Sequence, residues 1–152
     1  MAYRIQGLAP EPFEALFTMS EAELAARNAR RTVADGPGYP CRVSLEEAEL
    51  GEPLVLLNHV SNDAATPFRA AHAIYVRYGA ERGRYEDEVP AILATRTLGL
   101  RGFDAQGMLR GALLALPGEA DAKIRELFER PEVAENAHNA ALGCFLARIE
   151  RN

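Results

Sequence analysis

Cys41-Arg42-Val43-Ser44-Leu45 alternates residue by residue, with Cys41, Val43 and Leu45 on one side and Arg42 and Ser44 on the other. A period of two is the signature of a strand with one buried and one polar face. The run follows the turn segment Gly36-Pro37-Gly38-Tyr39-Pro40 and precedes a polar turn over Glu47–Glu52. Beyond it, Leu54–Val60 (LVLLNHV) reads as a strongly apolar strand, and Ala71–Tyr78 (AHAIYVRY) as another after the Ser61–Arg69 loop. Upstream, RRTVAD at 30–35 also reads as a strand. Together these runs predict one sheet with apolar side chains beneath and arginines above, and every placement of a side chain toward a site depends on that reading.

The rest of the chain fits the same class. Residues 3–8 (YRIQGL) read as a short strand. Pro12 opens a small helix with Phe13, Leu16 and Phe17 on one face, and Ser20 with Glu23 forms a capping box for a second helix reaching about Asn28. Gly79–Val89 reads as a polar loop. Thr95–Leu116 is the best hairpin, turning at Asp104-Ala105-Gln106-Gly107. Residues 119–130 form the best helix, with Ala120, Ile124, Leu127 and Phe128 on one stripe and Pro131 ending it. Ala134–Ala141 and Phe145–Arg151 read as closing strands around Leu142-Gly143-Cys144. The expectation is a single α+β domain over residues 1–152, a mainly antiparallel sheet of about eight strands with two or three helices packed on it.

Composition limits the function. The 152 residues are 48% hydrophobic and 26% charged, with a net charge of −5. An acidic chain is a poor match for nucleic acid or for anionic lipid. No apolar run approaches the ~20 residues of a membrane span, and MAYRIQGLAPEPFEA lacks an apolar signal core. With two cysteines and no disulfide framework, the expected location is cytoplasmic. Sixteen arginines against a single lysine, Lys123, read as compositional bias and leave little for a lysine-based mechanism.

Gly38-Tyr39-Pro40-Cys41-Arg42-Val43-Ser44-Leu45, continuing through Glu46–Glu52, and His138-Asn139 followed by Gly143-Cys144-Phe145 carry a family resemblance. With the FDAQGM turn between them, the chain resembles the bacterial domain of unknown function 1203 family over nearly its whole length, from YRIQGL to the last strand. The resemblance implies a small, stand-alone bacterial protein and brings no activity or catalytic residues with it. Glu47 stands where members often have Asp, and Ala134-Glu135-Asn136-Ala137 is more polar than the strand expected there.

Three groups of residues could carry chemistry. Cys41, His138 and Cys144, with His59 or His72, supply zinc-type ligands in number. No CxxC, HxH or HExxH places two of them together, so no metal and no cofactor is expected, and Cys41 reads as a small core residue. Cys144 or Cys41 as nucleophile, His138 as base and Asn139 as orienter match the needs of thiolate chemistry. Neighbours in a regular strand face opposite ways, however, so His138 and Asn139 would not share a site, and the alternative is that both satisfy backbone groups at the strand end. Arg42, Arg69, Arg96 and Arg101, with Ser44 beside Arg42, form the third group. Converging guanidinium forks bind carboxylate or phosphate; dispersed, they pair with the protein's own Glu46, Glu47 and Asp104. His72, among Ala71, Ala73 and Ile74, reads as a core or edge histidine.

Three functions follow as expectations. The first is a binding domain recognising a small acidic metabolite or a protein partner through Arg42, Ser44, Arg96 and Arg101. The second is an interaction protein that forms a homodimer through a sheet edge. The third is a Cys/His-dependent enzyme using Cys144 or Cys41 with His138 and Asn139.

Overall fold

The computed structural model describes residues 2–152. Nine strands form two antiparallel sheets. The larger has the order β5 (Arg84–Glu86), β1 (Tyr3–Gln6), β9 (Phe145–Arg151), β8 (Ala134–Asn139), β6 (Leu98–Phe103) and β7 (Leu109–Ala115). The smaller has the order β2 (Ala29–Val33), β3 (Pro53–Asn62) and β4 (Ala70–Arg77). The α+β, mainly antiparallel expectation holds, divided over two sheets. No helix among the described residues is long and apolar enough to cross a membrane.

Alternation assigns the faces of the larger sheet. On β6, Leu98, Leu100 and Gly102 are buried while Gly99, Arg101 and Phe103 are half-buried on the other side. The first set packs with α4 (Ala120–Leu127), whose Ile124 and Leu127 join Leu98, Leu100, Ala137 and Ile149 in the main core. Gly102 leaves room for this helix, since a Cβ there would already lie 3.3 Å from Leu127 and Val133. The second core lies on the smaller sheet, where Val55, Ile74 and Val76 meet Phe13 of α1 (Glu11–Glu14) and Leu16 and Leu24 beyond it.

The short helices follow their local sequence. Ser20 Oγ accepts from the Glu23 N–H at 3.2 Å and Glu23 Oε2 accepts from the Ser20 N–H at 3.3 Å, completing the capping box of α2 (Glu21–Ala25). In the Asp104–Gly107 turn, Gly107 takes φ 81° and donates to the Asp104 carbonyl at 2.9 Å. The Gly79–Val89 segment, expected to be a loop, contributes the short edge strand β5, and Ala91–Ala94 adds a helical turn, α3.

Cys41–Leu45 is not a strand. It is a tight turn, closed by the Leu45 N–H on the Cys41 carbonyl at 2.9 Å, with Leu45 at φ 59°. All five residues are buried, so the run has no solvent face on which to display Arg42 and Ser44. Tertiary contacts override the alternation. The Arg42 N–H donates to Tyr75 of β4 at 3.1 Å, and the Arg42 and Val43 carbonyls accept from Leu8 at 2.8 Å and Gly83 at 2.8 Å. Gly7 and Gly83 permit this approach, because a Cβ would lie 1.8 Å from the Val43 oxygen and 2.3 Å from the Ser44 oxygen. The two sheets survive the correction because neighbouring runs supply every strand.

Candidate functional site

The chain has three histidines, and the fold gathers all of them between the sheets. Antiparallel register sets His59 of β3 opposite His72 of β4, on the same face. His138 comes from β8, where Asn136 and His138 point away from the α4 side on which Ala137 is buried. The His72 and His138 rings lie 5.0 Å apart, edge to face. Phe145 lies 5.8 Å from His59 and 5.9 Å from His138.

His138 is 2% exposed, and its Nδ1 lies 3.1 Å from the Gly143 carbonyl. A carbonyl only accepts, so that nitrogen carries the proton and Nε2 presents a lone pair. Nε2 of His138 and Nε2 of His72 are both buried without a partner. Burial pushes the His138 pKa down to about 4 against the opposing pull of the Gly143 bond, and nearby Arg101 and His72 lower it further. Burial also lowers His72, helped by Arg101 and Arg42, and lowers His59, helped by His72 and Arg42. The cluster is therefore uncharged at neutral pH.

A cleft of about 360 Å³ opens beside His138, lined also by Arg101, Asn136, Ser61, Asn62 and Phe68. Arg101 sits on β6 opposite Asn136 of β8. Its guanidinium makes no hydrogen bond or ion pair among the described residues. None of the described lining residues is acidic. A second recess of about 440 Å³ shares Ser61, Asn62, Phe103 and Asn136 and continues toward Asp104 and Arg148. The hairpin turn docks here: the Gly107 carbonyl accepts from Asn62 Nδ2 and Thr66 Oγ1, each at 3.2 Å.

The other expected residues lie elsewhere. Arg42 is 4% exposed; its Nε donates to Phe145 at 2.8 Å and its Nη1 to Pro40 at 2.6 Å, both main-chain carbonyls. Burial holds its pKa down to about 10, so it remains a cation at neutral pH. Ser44 is buried and its Oγ accepts from Arg77 at 3.2 Å. Arg96 bonds the Ile92 carbonyl at 2.8 Å and pairs with Glu47, while Arg69 pairs with Asp63. Of the four arginines, Arg101 alone lines the cleft; Arg96 pairs with Glu47, as the dispersed alternative has it.

Both thiols are free, and among the described residues neither is hydrogen-bonded to a histidine. Cys41 is buried, and its Sγ accepts from the Arg77 N–H at 3.3 Å and the Ser44 N–H at 3.5 Å. Cys144 is half-buried, and no hydrogen bond joins it to His138. Asn139 Oδ1 accepts from the Ala141 and Leu142 N–H groups, each at 3.0 Å, and so caps the β8–β9 turn. Among the described residues no group of three or more His, Cys, Asp or Glu is placed to hold a metal ion.

Sequence reading grouped His138 with His59 or His72 only as prospective zinc ligands beside the cysteines, and it missed the lining residues Asn62 and Asn136. One signal was available: a hairpin turning at Ala65–Thr66 pairs residue 59 with residue 72.

A family model described as protein of unknown function (DUF1203) matches residues 38–151. The match starts at the Gly38 turn, so it leaves out the YRIQGL strand that the resemblance had included, and it takes in every residue lining the cleft. No curated protein and no solved structure matches the chain. The chain belongs to the DUF1203 family.

Proposed function

We propose that this DUF1203 protein binds a small organic anion in the inter-sheet cleft, with Arg101 as its anchor. The observation that carries this reading is a guanidinium with no partner among the described residues, in a cleft whose described lining is free of carboxylates. A guanidinium presents five donors in a fork that matches carboxylate or phosphate. The adjacent imidazoles are neutral and do not compete for the anion. A volume of about 360 Å³ suits a metabolite-sized ligand. Of the arginines first considered, Arg42 and Arg96 act through bonds within the protein, and ligand recognition falls to Arg101.

Thermal-shift and calorimetric titration with a panel of small mono- and dicarboxylates and inorganic phosphate tests the proposal. At least one anion should stabilise the protein, and Arg101→Gln should abolish that effect. Stabilisation by none of them, or equal stabilisation of Arg101→Gln, would overturn it.

Self-association is the second reading, favoured by the open edge of the larger sheet. β7 ends that sheet, and its Leu114 is 58% exposed. Unpaired edges with apolar flanks invite strand addition. Light scattering over a range of concentrations decides it, and a monomer throughout excludes it. The thiol-enzyme reading draws no support from the arrangement of Cys144 and His138. Two free cysteines accord with a cytoplasmic location, which we propose alongside.

A further inference from the structure

The geometry points to a hydroxy acid as the ligand class: a small carboxylate bearing a hydroxyl group, the carboxylate on Arg101 and the hydroxyl between His72 and His138. This inference rests on the anion-binding reading above and adds what the histidines select.

Two buried ring nitrogens in one place lack partners, Nε2 of His72 and Nε2 of His138. A buried polar atom without a partner is unfavourable, so each is a recognition element waiting for its complement. Their needs differ. The Gly143 carbonyl commits the His138 proton to Nδ1, which leaves Nε2 able only to accept. His72 carries no such constraint on its tautomer, and its Nε2 can donate. One hydroxyl satisfies both, accepting from His72 Nε2–H and donating to His138 Nε2. The rings, from β4 and β8, are 5.0 Å apart; His138 lines the cleft, His72 packs against His138 from β4, and Arg101 acts electrostatically on both.

Other groups fit less well. A fully deprotonated oxygen would face the His138 lone pair. An ammonium would meet the positive charges of Arg101 and Arg42, which already disfavour protonation of these rings. Both nitrogens are closed to solvent, so the hydroxyl enters by rotation of the His72 ring, the more exposed of the two. Side-chain rotations of this kind occur on the nanosecond scale.

The test is calorimetric titration of the full chain at pH 7.5 with matched probes: glycolate against acetate, lactate against propionate, malate against succinate. In at least one pair the hydroxy acid should bind about tenfold tighter or more, because a site built around a hydroxyl discriminates against its absence. His138→Phe should shrink that preference to about twofold or less, and His72→Phe, at the less buried position, should do the same. Arg101→Gln should abolish binding of both members of the pair. Arg101-dependent binding with no preference for the hydroxyl, or a preference that persists in both histidine variants, would overturn the hydroxy-acid assignment and leave anion binding standing. Absence of binding by every probe would overturn both.

Discussion

The Arg42 guanidinium donates from Nε to the Phe145 carbonyl at 2.8 Å, while the Arg42 main-chain N–H donates to Tyr75 at 3.1 Å. Phe145 begins β9 of the larger sheet and Tyr75 lies in β4 of the smaller one. A single residue of a buried turn therefore fastens the two sheets together, directly behind the histidine cluster.

Arg42→Met is expected to lower stability by about 3 kcal/mol, since it leaves the Phe145 and Pro40 carbonyls without their charged donors. Part of the loss is offset because a buried cation no longer has to be desolvated. Urea denaturation reads the change, and a value within about 1 kcal/mol of the parent would show that the fastening is incidental.

Gly7→Ala and Gly83→Ala should each cost about 3 kcal/mol or more, a fall in Tm of roughly 10 °C. The new methyl would press on the main-chain oxygen of Val43, itself held by the Gly83 N–H, or on that of Ser44. Gly36→Ala, which meets nothing within 4 Å, serves as the control and should be nearly neutral. Equal melting temperatures for all three variants would contradict the close approach.

Stability should fall on acidification through the histidines before any carboxylate is involved. The folded His138 pKa is about 4, against an ordinary 6.5 in the unfolded chain. Between those values the unfolded state binds the extra proton, so stability is complete above pH 6.5, declines toward pH 4 and is unaffected by this group below that. The shift corresponds to about 3 kcal/mol. His59 and His72 act in the same direction. The stability difference between the parent and His138→Phe should therefore shrink from pH 7 to pH 4.5, and a difference independent of pH would refute the assignment.

Thiol labelling should distinguish the cysteines. Cys144 is half-buried, whereas Cys41 is sealed in the turn with its sulfur accepting two N–H groups. One thiol should react with a disulfide reagent in the native protein and two in denaturant, and Cys144→Ser should remove the native reaction. Rapid labelling of Cys41 in the folded chain would contradict the burial.

What could be read in advance was whatever short-range chemistry decides. Ser20 and Glu23 are three residues apart and cap their helix as expected; Asp104–Gly107 turns where a glycine permits a left-handed backbone; Ala120, Ile124 and Leu127 line the inner side of α4. The Cys41–Leu45 run misled because its partners are Gly7, Leu8, Tyr75 and Gly83, distant residues that leave no local trace. The same holds at the site. Arg96 and Arg69 settled on nearby acids, and nothing within the Arg101 neighbourhood marks it as the one left over. The histidine cluster needs the register of β3 on β4 and the placing of β8 against both, which is information spread across 80 residues of chain.

The position of β1 has a consequence for how the molecule is made. Residues 3–6 lie between β5 and residues 148–151 of β9, so β1 pairs with a strand far along the chain. On a ribosome β1 emerges long before the β9 residues it pairs with are synthesised. Until then Tyr3 and Ile5 are apolar side chains with half of their sheet missing, available to any other open strand. Closure of so large a loop is slow, and the interval before it is when this protein is most exposed to misassembly and to chaperone capture.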